Sequence, residues 1–306
     1  MCLTLSDMAT DLRSHPSGEQ YEIVFGDQRA VITEVGATLR EYWSGGRAAL
    51  DGFAVSEMCS GARGQLLMPW PNRIRDGRYE FGGRRLQLPL SEPERRNAIH
   101  GLVRWSSWQP LEHTQERLHL AFTLHPQPGY PFFLELAADY SLGPNGLRTI
   151  WSAHNVGSEA APFGAASHPY LRPRTELIDD GELWIPARTY LEVDDRLIPT
   201  GRRLPVEGTP FDFRVPRPIG DAMIDNCFTD LDGSAIEFDG LRMAWDGNHP
   251  YLQVFTADAV APERRRRGIA LEPMSCAPDA FNSGDGLAVL APGDYRSGSW
   301  SLRELS

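Results

Sequence analysis

The chain repeats one local pattern along most of its length: a short run rich in β-branched and aromatic residues, then a turn signal. The first runs are residues 21–25, 30–35 and 36–43, and Gly26-Asp27 separates the first two. Such runs are typical of β-strands. No stretch sustains a 3.6-residue apolar period over three helical turns. The sequence therefore predicts many short strands and little helix.

The same pattern continues towards the C-terminus. Further strand candidates lie at residues 79–81, 118–124, 134–142, 148–155, 182–185, 235–238, 243–245, 252–256 and 297–302. The 29 Gly and 24 Pro supply the turns that an all-β chain of 306 residues needs. Many short strands with turn-rich connections indicate a sandwich or barrel. Because we find no repeat or interdomain linker, residues 19–306 are predicted to form one β-sandwich domain after a flexible lead-in at residues 1–18.

Composition narrows the classes of partner. The net charge of −11 disfavours nucleic acid and anionic membrane surfaces as partners. No run of about 18 apolar residues occurs and the N-terminus lacks a signal-peptide layout, so we expect no membrane span and a cytoplasmic location. The four cysteines are scattered without zinc spacing and are expected to be reduced thiols. The sequence contains no Lys, which excludes Lys Schiff-base chemistry.

A short apolar run delivers Glu272 to the start of a Pro-rich segment. In a strand, Ile269 and Leu271 face one way while Ala270 and Glu272 face the other. This pattern predicts a strand that lines a cleft, with Glu272 as a proton-transfer group. The alternative is that Glu272 ends a strand at the surface, where Pro273 begins a turn.

A second segment, residues 167–171, contains a His and a Tyr around a proline. The residue before a proline favours extended geometry. An extended chain puts His168 and Tyr170 on one face, with Pro169 and Leu171 on the other. The unperturbed pKa of His suits proton transfer at neutral pH. This segment therefore predicts a polar surface capable of proton transfer at a strand end.

The segment at residues 64–83 combines an apolar run, a Pro-flanked bend and a hairpin. Asn72 and Arg73 follow the bend, Gly77 begins the return strand, and Gly82-Gly83 forms the next turn. Arg73 is either a surface residue or a rigid five-donor group that reaches into a cleft.

His100 follows the charged loop at residues 92–96 and precedes Gly101, which permits close approach of a ligand to the backbone. The alternative for a lone His is a structural role.

Core packing is expected for both Trp105 and Trp108. Asp225 alone reads as a loop residue.

Taken together and in this order, these segments resemble the aldose 1-epimerase (galactose mutarotase) family from about Glu22 to the C-terminus. The matching segments are Asn72-Arg73-Ile74 with Gly77, Asn97 with His100-Gly101, His168-Pro169-Tyr170, Asp225 with Phe228, residues 252–256, Leu271-Glu272, Pro278-Asp279-Ala280 with Asn282, and Pro292-Gly293-Asp294-Tyr295.

The resemblance implies a large antiparallel β-supersandwich with a sugar cleft on one concave face. It implies Glu272 as general base, His168 as general acid and His100 as a second cleft histidine near the ring oxygen. No metal and no organic cofactor are expected, and the chain is expected to be a monomer or homodimer. The resemblance also implies sugar-binding roles for Arg73, Asn72, Asp225 and Tyr170.

The chemistry of anomer interconversion fits these residue types. A proton must leave the C1 hydroxyl and another must reach the ring oxygen, so that the ring opens and recloses on the other face. One carboxylate and one imidazole suffice for this. We expect the Glu272 carboxylate and a His168 imidazolium to stabilise each other, which would raise the pKa of His168.

Two positions depart from the family's best-known members. Pro273-Met274 follows Glu272 where those members have Thr-Gln, and Leu171 follows Tyr170 where they have Phe. These differences favour a substrate other than galactose or glucose.

Three rival functions remain open from the sequence. A hexose-6-phosphate 1-epimerase needs clustered arginines at the cleft, and the candidates are Arg95, Arg96, Arg172, Arg174 and the run from Arg264 to Arg267. A non-catalytic sugar-binding protein would need no acid–base pair. A glycoside hydrolase would pair Glu272 with Asp225 or Asp279. The histidines His100, His154 and His168 lack metal-ligand spacing.

Overall fold

A computed structural model describes residues 15–305. Cys2 and most of the predicted lead-in lie outside the described residues. The strands, in chain order, are β1 (Gln20–Phe25), β2 (Gln28–Thr33), β3 (Leu39–Ser44), β4 (Arg47–Ala48), β5 (Leu66–Leu67), β6 (Arg73–Arg75), β7 (Arg78–Phe81), β8 (Arg84–Gln87), β9 (Asn97–Ile99), β10 (Gln109–His113), β11 (Arg117–Leu124), β12 (Leu134–Gly143), β13 (Gly146–Asn155), β14 (Ala161–Phe163), β15 (Ala166–Ser167), β16 (Tyr170–Leu171), β17 (Glu182–Trp184), β18 (Ala187–Val193), β19 (Pro199–Pro205), β20 (Arg217–Pro218), β21 (Asp225–Leu231), β22 (Ala235–Phe238), β23 (Leu241–Trp245), β24 (Tyr251–Phe255), β25 (Ile269–Met274), β26 (Ala288–Leu290) and β27 (Tyr295–Glu304).

Helical structure is sparse. The described residues contain one α-helical turn, α1 (Ala280–Ser283), and 3₁₀ turns at Pro93–Arg95, Ile178–Asp180 and Pro262–Arg264. No helix within residues 15–305 is long and apolar enough to span a membrane.

Two large sheets dominate the molecule. One has nine strands in the order β10-β11-β12-β13-β27-β23-β22-β17-β20, and the other has eight in the order β19-β18-β21-β24-β25-β15-β5 with β16 also on β25. A four-stranded sheet, β1-β2-β3-β4, precedes them. The central ladders are antiparallel. The predicted all-β class is therefore confirmed.

Most predicted strands occur within a few residues of their predicted bounds, and residues 235–238 match β22. The hairpin β7–β8 turns at Gly82-Gly83, as predicted. Strands β18 and β19 were not predicted. The sequence of β19, PTGRRLP, has no apolar alternation and its residues are largely exposed, so pairing with β18 rather than burial holds it extended.

One main core joins the sheets. Alternate residues of β12, among them Leu134, Leu136 and Tyr140, are buried in it, as the two-residue strand period requires. Trp300 of β27 donates its indole N–H to Ser167 Oγ of β15 at 2.9 Å, which links the nine-stranded and eight-stranded sheets directly.

Ser17, which was assigned to the predicted lead-in, contacts the folded domain. Ser17 is buried, and its carbonyl accepts a hydrogen bond from Val35 N at 3.1 Å. Three further cysteines, Cys59, Cys227 and Cys276, are buried free thiols.

The eight-stranded sheet has two different faces. Ile269 and Leu271 of β25 lie in the main core, whereas Ala270 belongs to a separate small cluster on the opposite face. The predicted alternation is therefore present. The predicted turn at Pro273 is wrong, because β25 continues to Met274. Strands on both sides of β25 hold the chain extended there and override the local turn tendency of proline.

Candidate active site

The candidate site is a row of polar side chains across the opposite face of the eight-stranded sheet. The register that pairs Ala166 with Met274 and Tyr170 with Ala270 places His168 directly across from Glu272. On the other side of β25, Gln253 of β24 is the register partner of Glu272. Cross-strand partners on one face have neighbouring side chains. The sheet itself therefore brings a His, a Glu and a Gln side by side.

Glu272 and His168 form a buried pair. His168 Nε2 lies 3.3 Å from Glu272 Oε1, and the two side chains are 6% and 1% exposed. Glu272 Oε2 and His168 Nδ1 are also buried and have no hydrogen-bond partner among the described residues. Buried polar atoms without partners are rare in folded proteins and need an explanation. A role in handling substrate hydroxyls and protons is one such explanation.

The electrostatics of the pair differ from the expectation. Burial lowers the pKa of His168 to about 3, and the nearby Arg104 acts in the same direction. Burial and the neighbouring Asp225 raise the pKa of Glu272 well above its ordinary value. The expected rise in the pKa of His168 is therefore wrong, because loss of solvation outweighs attraction between the partners. Burial therefore favours the neutral forms of both groups.

The ion pair and the neutral pair contain the same number of protons. They differ only in whether the proton resides on His168 or on Glu272. The pair therefore titrates as one unit that holds one proton.

The Tyr170 ring packs against the His168 ring. Their rings stack at 5.1 Å with an interplanar angle of 13°. The Tyr170 hydroxyl donates to the Gly61 carbonyl at 3.0 Å, and the Arg63 guanidinium lies 4.4 Å from the Tyr170 ring centroid. Because the hydroxyl and the ring of Tyr170 are both held by neighbours, the His168 ring stacks on a fixed surface.

The loop that carries His100 lies over this row. The His100 and His168 rings are 5.3 Å apart and nearly perpendicular. His100 N donates to the Asn72 carbonyl at 2.9 Å. Burial lowers the pKa of His100 well below its ordinary value, so His100 is neutral. Its Nδ1 is buried and unpartnered among the described residues.

Gly101 is required for a reason other than the predicted one. Its φ is +70°, and a Cβ there would lie 2.0 Å from the Met68 carbonyl oxygen. The next residue, Leu102, donates its N–H to that same oxygen at 2.8 Å. The close approach at Gly101 is therefore made by the protein's own backbone, and not by a ligand.

Arg73 is held by a carboxylate that the sequence reasoning missed. Its Nε and Nη2 contact both oxygens of Glu92 at 2.9–3.2 Å. Glu92 also accepts hydrogen bonds from Arg95 and Asn97. Although burial alone would raise the pKa of Glu92, these partners lower it overall. Arg73 is thus fixed in place, with Nη1 making no hydrogen bond within the described residues.

Asp279 anchors the strand that carries Arg73. Its N–H donates to the Arg73 carbonyl at 2.7 Å, and its Oδ1 accepts from Arg75 N and Asn282 Nδ2. Asp279 does not line the cavity. This removes it as the second carboxylate of a glycoside hydrolase.

Asp225 is the first residue of β21, and not a loop residue as its sequence context suggested. Pairing with β24 brings it to the site, where its Oδ1 accepts from Gln253 Nε2 at 2.8 Å. Burial raises the pKa of Asp225. Asp225 thereby fixes the amide of Gln253 beside Glu272.

These side chains line one cavity of about 470 Å³. All seven predicted site residues contribute to its lining: Asn72, Arg73, His100, His168, Tyr170, Asp225 and Glu272. The lining residues that sequence reasoning did not assign to the site include Glu92, Gln253, Arg104 and Phe255. Gln253 alternates with the core residues Leu252 and Val254 in β24. This alternation in the sequence could have placed Gln253 on the face opposite the core.

The two predicted Trp positions differ. Trp108 is fully buried in the core, as expected. Trp105 is 57% exposed at the cavity, so the core expectation was wrong for it. Its position between Arg104 and Ser106 lies outside any strand.

The arginines that would mark a phosphate site do not converge on the cavity. Among the described residues, only Arg73 and Arg104 are arginines in its lining. Arg264 contacts Glu57 and the Gly52 carbonyl. The other candidates, Arg95, Arg96, Arg172, Arg174 and the remainder of the run up to Arg267, lie outside the lining as well.

A larger groove of about 790 Å³ lies on the nine-stranded sheet. This groove contains two His–carboxylate pairs. His119 Nδ1 lies 2.8 Å from Asp139 Oδ2, and His154 Nδ1 lies 3.6 Å from Glu135 Oε2. These side chains are partly exposed. The smaller cavity, which encloses the buried acid–base pair, is therefore the stronger candidate.

The chain matches known proteins over nearly its whole length. The family model described as aldose 1-epimerase matches residues 19–303. The uncharacterized protein YihR of Escherichia coli K12 is 34% identical over 95% of this chain and 93% of its own length. Human galactose mutarotase is 31% identical over 59% of this chain, a match that spans 52% of the human protein.

Solved structures share the fold. A GalM/aldose epimerase homologue from C. elegans superposes with a TM-score of 0.83 at 18% identity, covering 94% of this chain and 99% of that one. Galactose 1-epimerase from Lactobacillus acidophilus gives a TM-score of 0.75 at 23% identity, covering 92% of each chain. The family match over nearly the whole chain, together with the relative at 34% identity, shows that the chain belongs to the aldose 1-epimerase family.

Proposed function

We propose that the protein is an aldose 1-epimerase that interconverts the α and β anomers of a sugar, with Glu272 as base and His168 as acid. The observation that carries this proposal is the cross-strand pair at 3.3 Å, buried beneath a cavity of sugar size. A non-catalytic sugar-binding protein would have no need for two buried ionisable groups of shifted pKa in contact.

The reaction uses the one proton that the pair holds. On binding, the C1 hydroxyl donates towards Glu272 and the ring oxygen accepts from His168, which favours the form with the proton on His168. Glu272 then takes the C1 hydroxyl proton while His168 protonates the ring oxygen, and the C1–O bond to the ring breaks. The products are the open-chain aldehyde and a neutral pair, with the proton count unchanged.

Burial favours this neutral pair. Rotation about C1–C2 presents the other face of the aldehyde. The C5 hydroxyl then returns its proton to His168 and attacks C1, while Glu272 protonates the carbonyl oxygen. The remaining polar groups orient the sugar: Arg73, Asn72, Asp225 and Gln253 offer donors and acceptors to its hydroxyls, and neutral His100 adds one near the ring oxygen.

The direct experiment is mutarotation by the purified protein. We expect at least one sugar in a panel of neutral and acidic aldoses to reach anomeric equilibrium faster with protein than in buffer, measured by polarimetry or by NMR exchange between anomers. Heat-inactivated protein is the control. If no aldose equilibrates faster than the buffer blank, the sugar-binding alternative replaces the enzyme.

A further inference from the structure

Among the described residues, Arg104 is an arginine of the cavity lining that has no carboxylate partner, unlike Arg73, which pairs with Glu92. Its Nη1 lies 3.5 Å from Gln65 Oε1 and its Nη2 lies 3.4 Å from the Ile99 carbonyl, both at the long limit of hydrogen bonding. Its Nε is buried without a partner among the described residues. The guanidinium carries five donors, and these two long contacts are its only side-chain hydrogen bonds within the described residues.

The buried arginines of the described chain are paired, whereas Arg104 is half-buried. Arg40 pairs with Glu41, Arg63 with Asp51 at 3.2 Å and Arg73 with Glu92 at 2.9 Å. Partly enclosing a cation without a counter-charge costs free energy that a bound anion recovers. In agreement with its enclosure, burial lowers the pKa of Arg104. Arg104 therefore offers a ready site for a negative charge.

The position of Arg104 identifies the end of the cavity that it serves. Gln65 donates to the Arg104 carbonyl at 2.9 Å and directly precedes β5, the strand next to β15. Arg104 thus lies on the His168 side of Glu272. Gln253 and Asp225 lie on the opposite side, on β24 and β21.

The proposed roles of Glu272 and His168 indicate which part of a bound sugar lies near Arg104. Glu272 serves the C1 hydroxyl and His168 serves the ring oxygen, so the direction from Glu272 to His168 runs from C1 across the ring oxygen to C5. The substituent on C5 therefore points towards Arg104.

We propose that the substrate is an aldose whose C5 substituent carries a single negative charge, and that Arg104 pairs with that group. This inference rests on the proposed function. A carboxylate, sulfonate or sulfate matches the guanidinium fork with two oxygens and one charge. A phosphate dianion fits less well, because Arg73, the other arginine of the lining, is already neutralised by Glu92.

Trp105 helps to present the guanidinium. The Arg104 guanidinium carbon lies 5.4 Å from the Trp105 ring centroid, within the range of a cation–π contact. Trp105 is exposed at the cavity, so this contact draws the Arg104 side chain towards the mouth.

The test compares sugars that differ only in the C5 substituent: a neutral hexose, the matching hexuronate, its 6-deoxy-6-sulfonate and its 6-phosphate. NMR exchange between anomers gives kcat/KM for the wild type, for Arg104→Gln and for Arg172→Gln. Arg172 is exposed and outside the cavity lining, so it is the matched control. We expect a monoanionic sugar to be preferred over the neutral hexose, and Arg104→Gln to reduce that preference by about 10–100-fold. Arg172→Gln should preserve the preference.

Several outcomes would overturn the inference. Equal kcat/KM for neutral and monoanionic sugars contradicts it, as does a preference for the 6-phosphate or an equal loss for all sugars in Arg104→Gln. Calorimetric titration of Glu272→Gln with the hexuronate and the sulfonate measures binding without turnover. If neither binds more tightly than the hexose, the anion site is absent. If only the neutral hexose is turned over, the anion site is contradicted and the proposed function is supported. If anionic sugars bind through Arg104 but no sugar undergoes mutarotation, the proposed function is contradicted and the anion site is supported.

Discussion

At the scale of single residues, the site depends on two side chains whose ordinary pKa values are displaced in opposite directions. Burial lowers the pKa of His168 to about 3 and, together with Asp225, raises that of Glu272. Both displacements oppose the creation of net charge in the buried pair. The form with one proton therefore persists over a wider pH range than an exposed Glu and His would allow.

This displacement predicts the pH dependence of catalysis. On the acid side of the pH profile, the rate falls when the pair gains a second proton. Because the pKa of His168 is lowered to about 3, this fall is expected near that pH. On the alkaline side, the rate falls when the pair loses its shared proton. Because the pKa of Glu272 is raised, this fall is expected at a higher pH than for an exposed Glu. With a neutral aldose, kcat/KM corrected for the buffer rate should show no fall at the ordinary His pKa of about 6.5. A tenfold loss per pH unit below that value would contradict the neutral pair.

Sequence reasoning identified the residue types but not their electrostatics. The motifs contained Glu272 and His168, and strand alternation predicted the faces on which they lie. The pKa directions depend on how completely the fold removes water from the pair, which no local pattern specifies. The same limit applies to Glu92 and Arg104, whose partners, or lack of partners, arise from contacts between separate loops.

At the scale of elements, the register of β25 with its neighbours creates the site. His168 and Gln253 flank Glu272 because antiparallel pairing places them there, and the loops containing Asn72 and His100 cover the row. The sequence predicted β24 and β25 from their apolar alternation. It could not predict which strands pair, since register between distant segments depends on the whole sheet. For the same reason Asp225 was assigned to a loop.

The loop that positions His100 is sensitive to Gly101. Gly101→Ala must bear both the strain of a positive φ and a clash with the backbone of Met68, which no side-chain rotation relieves. Gly82→Ala is the matched control, because Gly82 also has a positive φ of +57° but a Cβ there meets nothing within 4 Å. We expect Gly82→Ala to lower the free energy of unfolding by about 1–2 kcal/mol, and Gly101→Ala to lower it further and to reduce mutarotation. Urea unfolding and NMR exchange measure the two effects, and equal losses of stability in both variants would contradict the close approach.

At the scale of the whole molecule, the four-stranded, nine-stranded and eight-stranded sheets share one core. Residues such as Ile32, Trp151 and Leu252 come from different sheets and belong to the same buried cluster. The fold class was predictable because turn-punctuated strand patterns extend over nearly the entire chain. The way in which the sheets stack was not predictable, because it depends on pairings between segments that are far apart in sequence.

A shared core predicts cooperative unfolding and tests whether residues 19–306 behave as one domain. Trp300→Phe removes the indole donor that reaches Ser167 between the two large sheets. We expect it to lower the free energy of unfolding by about 1–3 kcal/mol through the lost hydrogen bond and reduced packing. Urea curves from far-UV circular dichroism and from tryptophan fluorescence should shift together. Separate midpoints for the two probes would show that the sheets unfold independently.

The central claim is that Glu272 and His168 move the protons of mutarotation, and one comparison tests it most directly. NMR exchange between anomers should be measured for the wild type and Glu272→Gln on a sugar that the wild type turns over, with circular dichroism confirming the fold of both. We expect Glu272→Gln to lose about 10²–10⁴-fold in rate, because the amide cannot accept the C1 hydroxyl proton, and His168→Asn to lose a comparable amount. A Glu272→Gln variant that folds and retains the wild-type rate would contradict the account.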